Sequence, residues 1–124
     1  MYALGRHLLL ELKNCNKEVL DDLAFLKECL NQAATRCGAI VVGESFYHFS
    51  PHGVSGMLNI AESHISIHTW PEYNYAAVDI FTCGDTVQPE EAAKLIIERL
   101  GAANYSLIEL RRGIVEDSPV GCAK

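Results

Sequence analysis

The chain has 124 residues, of which 49% are hydrophobic and 21% charged; this is typical of one folded domain and excludes a disordered or collagen-like chain. Ten Lys and Arg against sixteen Asp and Glu give a net charge of −6, which repels the phosphates of nucleic acids and of anionic membranes. We therefore expect a single domain, residues 1–124, with no nucleic-acid or membrane partner.

The N-terminal stretch MYALGRHLLLELK has neither the apolar core of a signal peptide nor the length of a membrane span. The five cysteines are odd in number and form no Cys-x-x-Cys pair, which argues against a disulfide framework and against a four-cysteine zinc site. We expect a cytoplasmic protein whose cysteines are reduced.

The first predicted elements are a strand and a long helix. Residues 4–12 form a short apolar run that predicts a strand. Residues 17–37 repeat apolar side chains at helical spacing, with Asn16 able to cap the start and Gly38 able to stop the helix. This pattern predicts one amphipathic helix.

The remaining segments are mostly strands. Four of them are predicted at residues 39–49, 54–61, 64–70 and 75–83; a second helix begins at Pro89 and ends before Gly101, and residues 105–111 form a last strand. Helices separated by runs of strands favour an α+β fold, a two-layer α/β sandwich whose mainly antiparallel sheet carries helices on one face. The last dozen residues are expected to be a loosely held tail.

Residues 49–84 concentrate the chemically useful side chains. One hypothesis is a zinc site formed by His64, His68 and Cys83, because imidazole and thiolate are zinc ligands. Their spacing is not diagnostic, and we expect no metal. A second hypothesis is nucleophilic catalysis, with Ser63 or Cys83 as the nucleophile and His64 or His68 as its base. The residues alone leave the reaction open.

A longer pattern is more specific. It consists of ESHISIHTWPE at residues 62–72, YAAVD at 75–79, FTCG at 81–84, GRH at 5–7 and PHGVSG at 51–56. Together these segments closely resemble the prokaryotic S-adenosylmethionine decarboxylase proenzymes over nearly the whole chain. The resemblance implies an α+β sandwich and a pyruvoyl-dependent decarboxylase.

The resemblance also implies self-cleavage between Glu62 and Ser63. The products are residues 1–62, the beta chain, and residues 63–124, the alpha chain. Ser63 becomes a covalently bound pyruvoyl group, with which the substrate's α-amine forms a Schiff base. The implied product is decarboxylated S-adenosylmethionine, the aminopropyl donor for spermidine synthesis.

Further roles are carried over by the same resemblance. Ser55 supports the developing negative charge during cleavage, His68 is the base that removes the α-proton of Ser63, and Cys83 is the proton donor after carbon dioxide leaves. Phe49 stacks on adenine and Glu72 binds the ribose hydroxyls. The implied partners are S-adenosylmethionine and a second copy, in a dimer of alpha/beta heterodimers.

Two alternatives and two difficulties remain open at this point. The same scaffold suits a pyruvoyl-dependent decarboxylase of arginine or ornithine, and an unprocessed, non-enzymatic binding module is the other alternative. Asn74 stands where the resemblance predicts glycine, although Asn tolerates positive φ. Ser63 and His68 are five residues apart and should face opposite ways on a regular strand, unless a turn or bulge occurs at Ser63.

Overall fold

Residues 2–116, the part of the chain that this computed structural model describes, form one six-stranded antiparallel sheet with three helices. The elements in chain order are β1 (Tyr2–Lys13), α1 (Lys17–Leu20), α2 (Leu23–Cys37), β2 (Ile40–His48), β3 (Val54–Ala61), β4 (Ser63–Trp70), a 3-10 turn (Pro71–Tyr73), β5 (Tyr75–Cys83), α3 (Pro89–Arg99) and β6 (Asn104–Val115). The strand order is β2-β3-β4-β5-β1-β6. The predicted α+β sandwich is confirmed.

One face of the sheet is covered by α2 and α3, and we call the other the open face. Alternate side chains of the strands point into the helix-covered layer, where Leu8, Ile65 and Ile80 are fully buried. Leu30 of α2 and Ile96 of α3 are equally buried on the other side of this core. Burial of these side chains is the main force that holds the two layers together.

The helix predicted over residues 17–37 is in fact two helices. The Asn16 side chain accepts a hydrogen bond from the backbone N–H of Glu18 and caps α1, whereas Asp22 accepts one from Phe25 and caps α2, each at 3.0 Å. Aspartate side chains compete for backbone N–H groups, so they favour caps over helix interiors. Gly38 ends α2 with φ +86°, as predicted.

β1 and β6 are longer than predicted, whereas the edge strand β2 is one residue shorter at each end. β6 pairs with β1 along its whole length, from Lys13↔Asn104 to Tyr2↔Val115. Residues 113–115, which the sequence predicts as part of the tail, therefore belong to the sheet, and residues 117–124 of that tail lie outside the described part of the chain. No helix between residues 2 and 116 has the length and hydropathy that crossing a membrane requires.

Candidate active site

The bond between Glu62 and Ser63 lies in the tight turn that joins β3 to β4. The Ala61–Glu62 peptide is cis, and Ser63 has φ +123° and is only 9% exposed. Cys83 ends β5, directly after Thr82, which is the register partner of Ser63. Its Sγ lies 3.4 Å from Glu62 Oε2. The structure thus brings Glu62, Ser63 and Cys83 together, and we call this place the cleavage end of β4.

The cysteines differ in state. Cys15, Cys29 and Cys37 are buried free thiols, as expected, and burial raises the pKa of Cys15 to about 11 and the pKa of Cys29 to about 12. These thiols stay protonated and unreactive at neutral pH. Cys83 is disulfide-bonded, which corrects the expectation of a reduced thiol at this position. Only the reduced form of Cys83 has a proton to donate.

The opposite end of β4 borders a cleft of about 300 Å³, which we call the cleft end. Ser55 and His68 are register partners on β3 and β4, and Ser55 Oγ and His68 Nδ1 are hydrogen-bonded at 2.8 Å. Phe49, from the loop after β2, and Glu72, from the 3-10 turn, line the same cleft. The structure therefore groups four of the predicted site residues here.

The 3-10 turn that carries Glu72 depends on Asn74. Asn74 has φ +53°, in the left-handed region, so it takes the conformation for which glycine was expected. Its Nδ2 donates a hydrogen bond to the Cys15 carbonyl at 3.1 Å. The departure from glycine is therefore compatible with the turn.

One chain does not bring His68 to Ser63. The pairing of β4 with β3 runs without a register shift from Ser63↔Ile60 to His68↔Ser55. Five residues of regular strand span about 16 Å, so the expected turn at Ser63 is present but leaves the two side chains at opposite ends of β4. The cleavage end and the cleft end are two separate halves of the predicted site.

A polar network on the open face was not foreseen. Asp79 Oδ2 is 2.7 Å from His7 Nε2 and 2.8 Å from His64 Nε2, and Ser66 donates a hydrogen bond to Oδ1. Ligand atoms of His7, His64 and Asp79 all lie within 4.8 Å of one another. The zinc set of His64, His68 and Cys83 does not form, because four residues of strand, about 13 Å, separate the two histidines.

Two further histidine–carboxylate pairs lie near the cleft end. His52 Nε2 is 3.2 Å from Glu72 Oε1, and His48 Nε2 is 2.8 Å from Asp21 Oδ1. The Gly53 N–H donates to the same Asp21 oxygen at 2.9 Å, and this bond, followed by His48, lowers the pKa of Asp21. The PHGVSG pattern in the sequence includes His52, but nothing in the sequence indicates that its partner is Glu72.

Comparison with known proteins identifies the class of enzyme. Residues 6–113 match the family model described as S-adenosylmethionine decarboxylase. The crystal structure of the adenosylmethionine decarboxylase from Aquifex aeolicus superposes with a TM-score of 0.90 at 35% identity, covering 96% of this chain and 98% of that chain. Fold and sequence therefore agree on a decarboxylase.

Curated relatives narrow this class to one family. An S-adenosylmethionine decarboxylase proenzyme from Thermodesulfovibrio yellowstonii is 54% identical over 115 residues, covering 93% of this chain and 85% of the relative. Another from Thermotoga petrophila is 46% identical over 125 residues and covers 96% of each chain. The chain belongs to the S-adenosylmethionine decarboxylase family, as the resemblance predicted.

Proposed function

We propose that this protein is a proenzyme that cleaves itself between Glu62 and Ser63 and then decarboxylates S-adenosylmethionine. The observation that carries the proposal is the Glu62–Ser63 turn with Cys83 beside it, in a chain of this family. The product is the aminopropyl donor for spermidine synthesis, and the cytoplasmic location stays a prediction from the sequence.

Cleavage begins when Ser63 Oγ attacks the carbonyl carbon of Glu62. The peptide C–N bond breaks, the amino group of residue 63 is released, and the amide becomes an ester. Removal of the Ser63 α-proton then breaks the Cβ–Oγ bond, which frees Glu62 as a carboxylate and leaves dehydroalanine at position 63. Tautomerisation to the imine and addition of water give the ketone and ammonia, so no oxidant or reductant is needed.

The cleavage end suits a pyruvoyl group at position 63. The group supplies a ketone that captures the substrate's amine and accepts the electrons released when carbon dioxide leaves. Position 63 starts β4 and Ser63 is only 9% exposed, so the strand would hold a pyruvoyl group formed there and shield it from water. Cys83, once reduced, lies beside this position and donates the proton that the substrate carbon needs.

We propose that a second copy of the chain completes the site. Two open faces can pack together about a two-fold axis that crosses β4 near its middle. This rotation places the cleft end of one chain over the cleavage end of the other, so Ser55 and His68 of one chain reach Ser63 of its partner. The open face has apolar surface for such a contact: Met57, Ile108, Leu110 and Ile114 are 39%, 58%, 46% and 54% exposed. The proposed assembly is a dimer of alpha/beta heterodimers.

The cleft end favours a nucleoside substrate over arginine or ornithine. Phe49 offers an aromatic face for adenine, and the Glu72 carboxylate accepts hydrogen bonds from ribose hydroxyls. Both residues line the cleft with Ser55 and His68. Neither group would be required by a substrate without a nucleoside.

The intact mass of the purified protein and its turnover test this function together. We expect two fragments of 62 residues each, residues 1–62 and 63–124, that stay associated, since 124 − 62 = 62. With a reductant present, the processed protein should release carbon dioxide from S-adenosylmethionine but not from arginine or ornithine. Ser63→Ala is the control that should remain one chain. A single uncut species in the wild type after long incubation contradicts the proposal.

A further inference from the structure

His52 lies at the mouth of the cleft and has no role in the chemistry above. It belongs to the loop between β2 and β3, and its Nε2 is 3.2 Å from Glu72 Oε1. The His52 and Glu72 side chains are 38% and 40% exposed. Both line the cleft with Ser55 and His68, so this histidine–carboxylate pair lies in the proposed substrate site.

The pair restricts a carboxylate that no other side chain within residues 2–116 holds. Glu72 sits on a 3-10 turn of three residues. A carboxylate group is planar, so holding Oε1 also sets the direction in which Oε2 accepts hydrogen bonds. Because the Glu72 side chain is already fixed before a ligand hydroxyl binds to it, binding costs less side-chain entropy.

We propose that His52 is a positioning residue for nucleoside recognition: it holds Glu72 in the orientation that accepts hydrogen bonds from the vicinal hydroxyls of the substrate's ribose. The inference rests on the proposed function, because Glu72 has this role only if the cleft takes a nucleoside. His52 acts through Glu72 and needs no contact of its own with the reacting atoms.

His48 provides a matched control. It is also a histidine paired with a carboxylate, at 2.8 Å from Asp21, and its side chain is 44% exposed. His48 lines a neighbouring surface depression, which His52 also borders, but His48 itself does not line the cleft. His48→Gln therefore removes the same kind of pair from a side chain outside the ligand site.

The test measures binding of 5′-methylthioadenosine, a nucleoside without the amino-acid group, to the purified protein, whether or not it has cleaved itself, by calorimetry. His52→Gln should weaken this binding roughly 3- to 10-fold, the range expected for freeing one side chain that binding must then order. For the 2′-deoxy analogue, which lacks one of the two hydroxyls, His52→Gln should cause a smaller loss of affinity. His48→Gln should leave the affinity for both nucleosides unchanged. With S-adenosylmethionine, His52→Gln should raise KM by a similar factor and leave kcat unchanged.

A double-variant cycle separates positioning from a general structural effect. In a Glu72→Gln background, His52→Gln should cause no further loss of nucleoside affinity. An undiminished loss in that background, unchanged affinity in His52→Gln alone, or absence of nucleoside binding to the wild type would each overturn the inference. Failure of the proposed function has a different signature: no cleavage and no carbon dioxide, with His52-dependent nucleoside binding intact.

Discussion

Mixing two inactive variants of this chain should restore cleavage. Ser63→Ala lacks the hydroxyl that attacks Glu62, and His68→Ala lacks the proposed base, so each variant alone should remain a chain of 124 residues. In a mixed dimer, Ser63 of the His68→Ala chain meets His68 of the Ser63→Ala chain. One of the two proposed shared sites should then be complete, and the His68→Ala chain should be cut.

The size of the effect follows from the geometry of β4. A base must come within about 3 Å of the group from which it takes a proton, whereas Ser63 and His68 of one chain are about 16 Å apart. Cleavage within a chain should therefore be undetectable in either variant. If equal amounts of the two chains pair at random, about half of the His68→Ala chains have a Ser63→Ala partner, so about half should be cleaved.

The assay is co-expression of the two variants with different affinity tags, followed by mass measurement of each chain. In the control, the double variant Ser63→Ala/His68→Ala replaces the Ser63→Ala chain, so the partner offers no His68 and cleavage should disappear. Pull-down through one tag shows whether mixed dimers have formed. Mixed dimers without cleavage, or normal cleavage of His68→Ala alone, would refute the shared site.

Three further predictions concern the proton donor, the pH dependence of stability and the core. Cys83→Ala should still be cleaved at least partly but lose on the order of 10² to 10⁴ in turnover, and mass spectrometry of its C-terminal fragment after turnover should show alanine at the new N-terminus; full activity would refute the role. Arg6 binds Glu90 and Glu109 and lowers the pKa of both carboxyls, so it stabilises the fold above their ordinary pKa and this stabilisation is lost as the pH falls. The test is urea denaturation of the uncleavable Ser63→Ala chain with and without Arg6→Met. Between about pH 5 and pH 3, the free energy of unfolding should fall less in the chain that carries Arg6→Met, and an equal fall in both chains would contradict this. Leu30→Ala in the fully buried face of α2 should cost about 2–5 kcal/mol in the same experiment, and a cost below about 1 kcal/mol would show that the core is not packed as described.

The sequence predicted the inner strands well because their limits are set by local chemistry. β3 and β5 have the predicted bounds, since Gly53 precedes one and Gly84 follows the other, and apolar side chains alternate within both. The prediction of one helix was wrong where two aspartates, Asp21 and Asp22, interrupt a continuous apolar pattern. In that case side-chain capping is stronger than periodicity.

The candidate site could be proposed from the sequence as a set of residues but not as an arrangement. Motif resemblance selected Ser63, His68 and Cys83, and the five-residue spacing of Ser63 and His68 already indicated a difficulty. The unshifted β3–β4 register adds that Ser63 and His68 of one chain are also too far apart, and this distance could not be read from the sequence. The same register places His52 next to Glu72, although the two residues lie in different loops.

The strand order explains how a chain can be cut in its centre and stay folded. Residues 1–62 contribute β1, β2 and β3, and residues 63–124 contribute β4, β5 and β6. In the order β2-β3-β4-β5-β1-β6, β1 lies between two strands of the other fragment, so the fragments share three ladders and cannot separate at a single edge. The contact of α2 with α3 joins them again across the core. The bond proposed for cleavage lies in a turn at the end of the sheet, so cleavage there would free the chain end at Ser63 while the ladders that hold β4 in place remain.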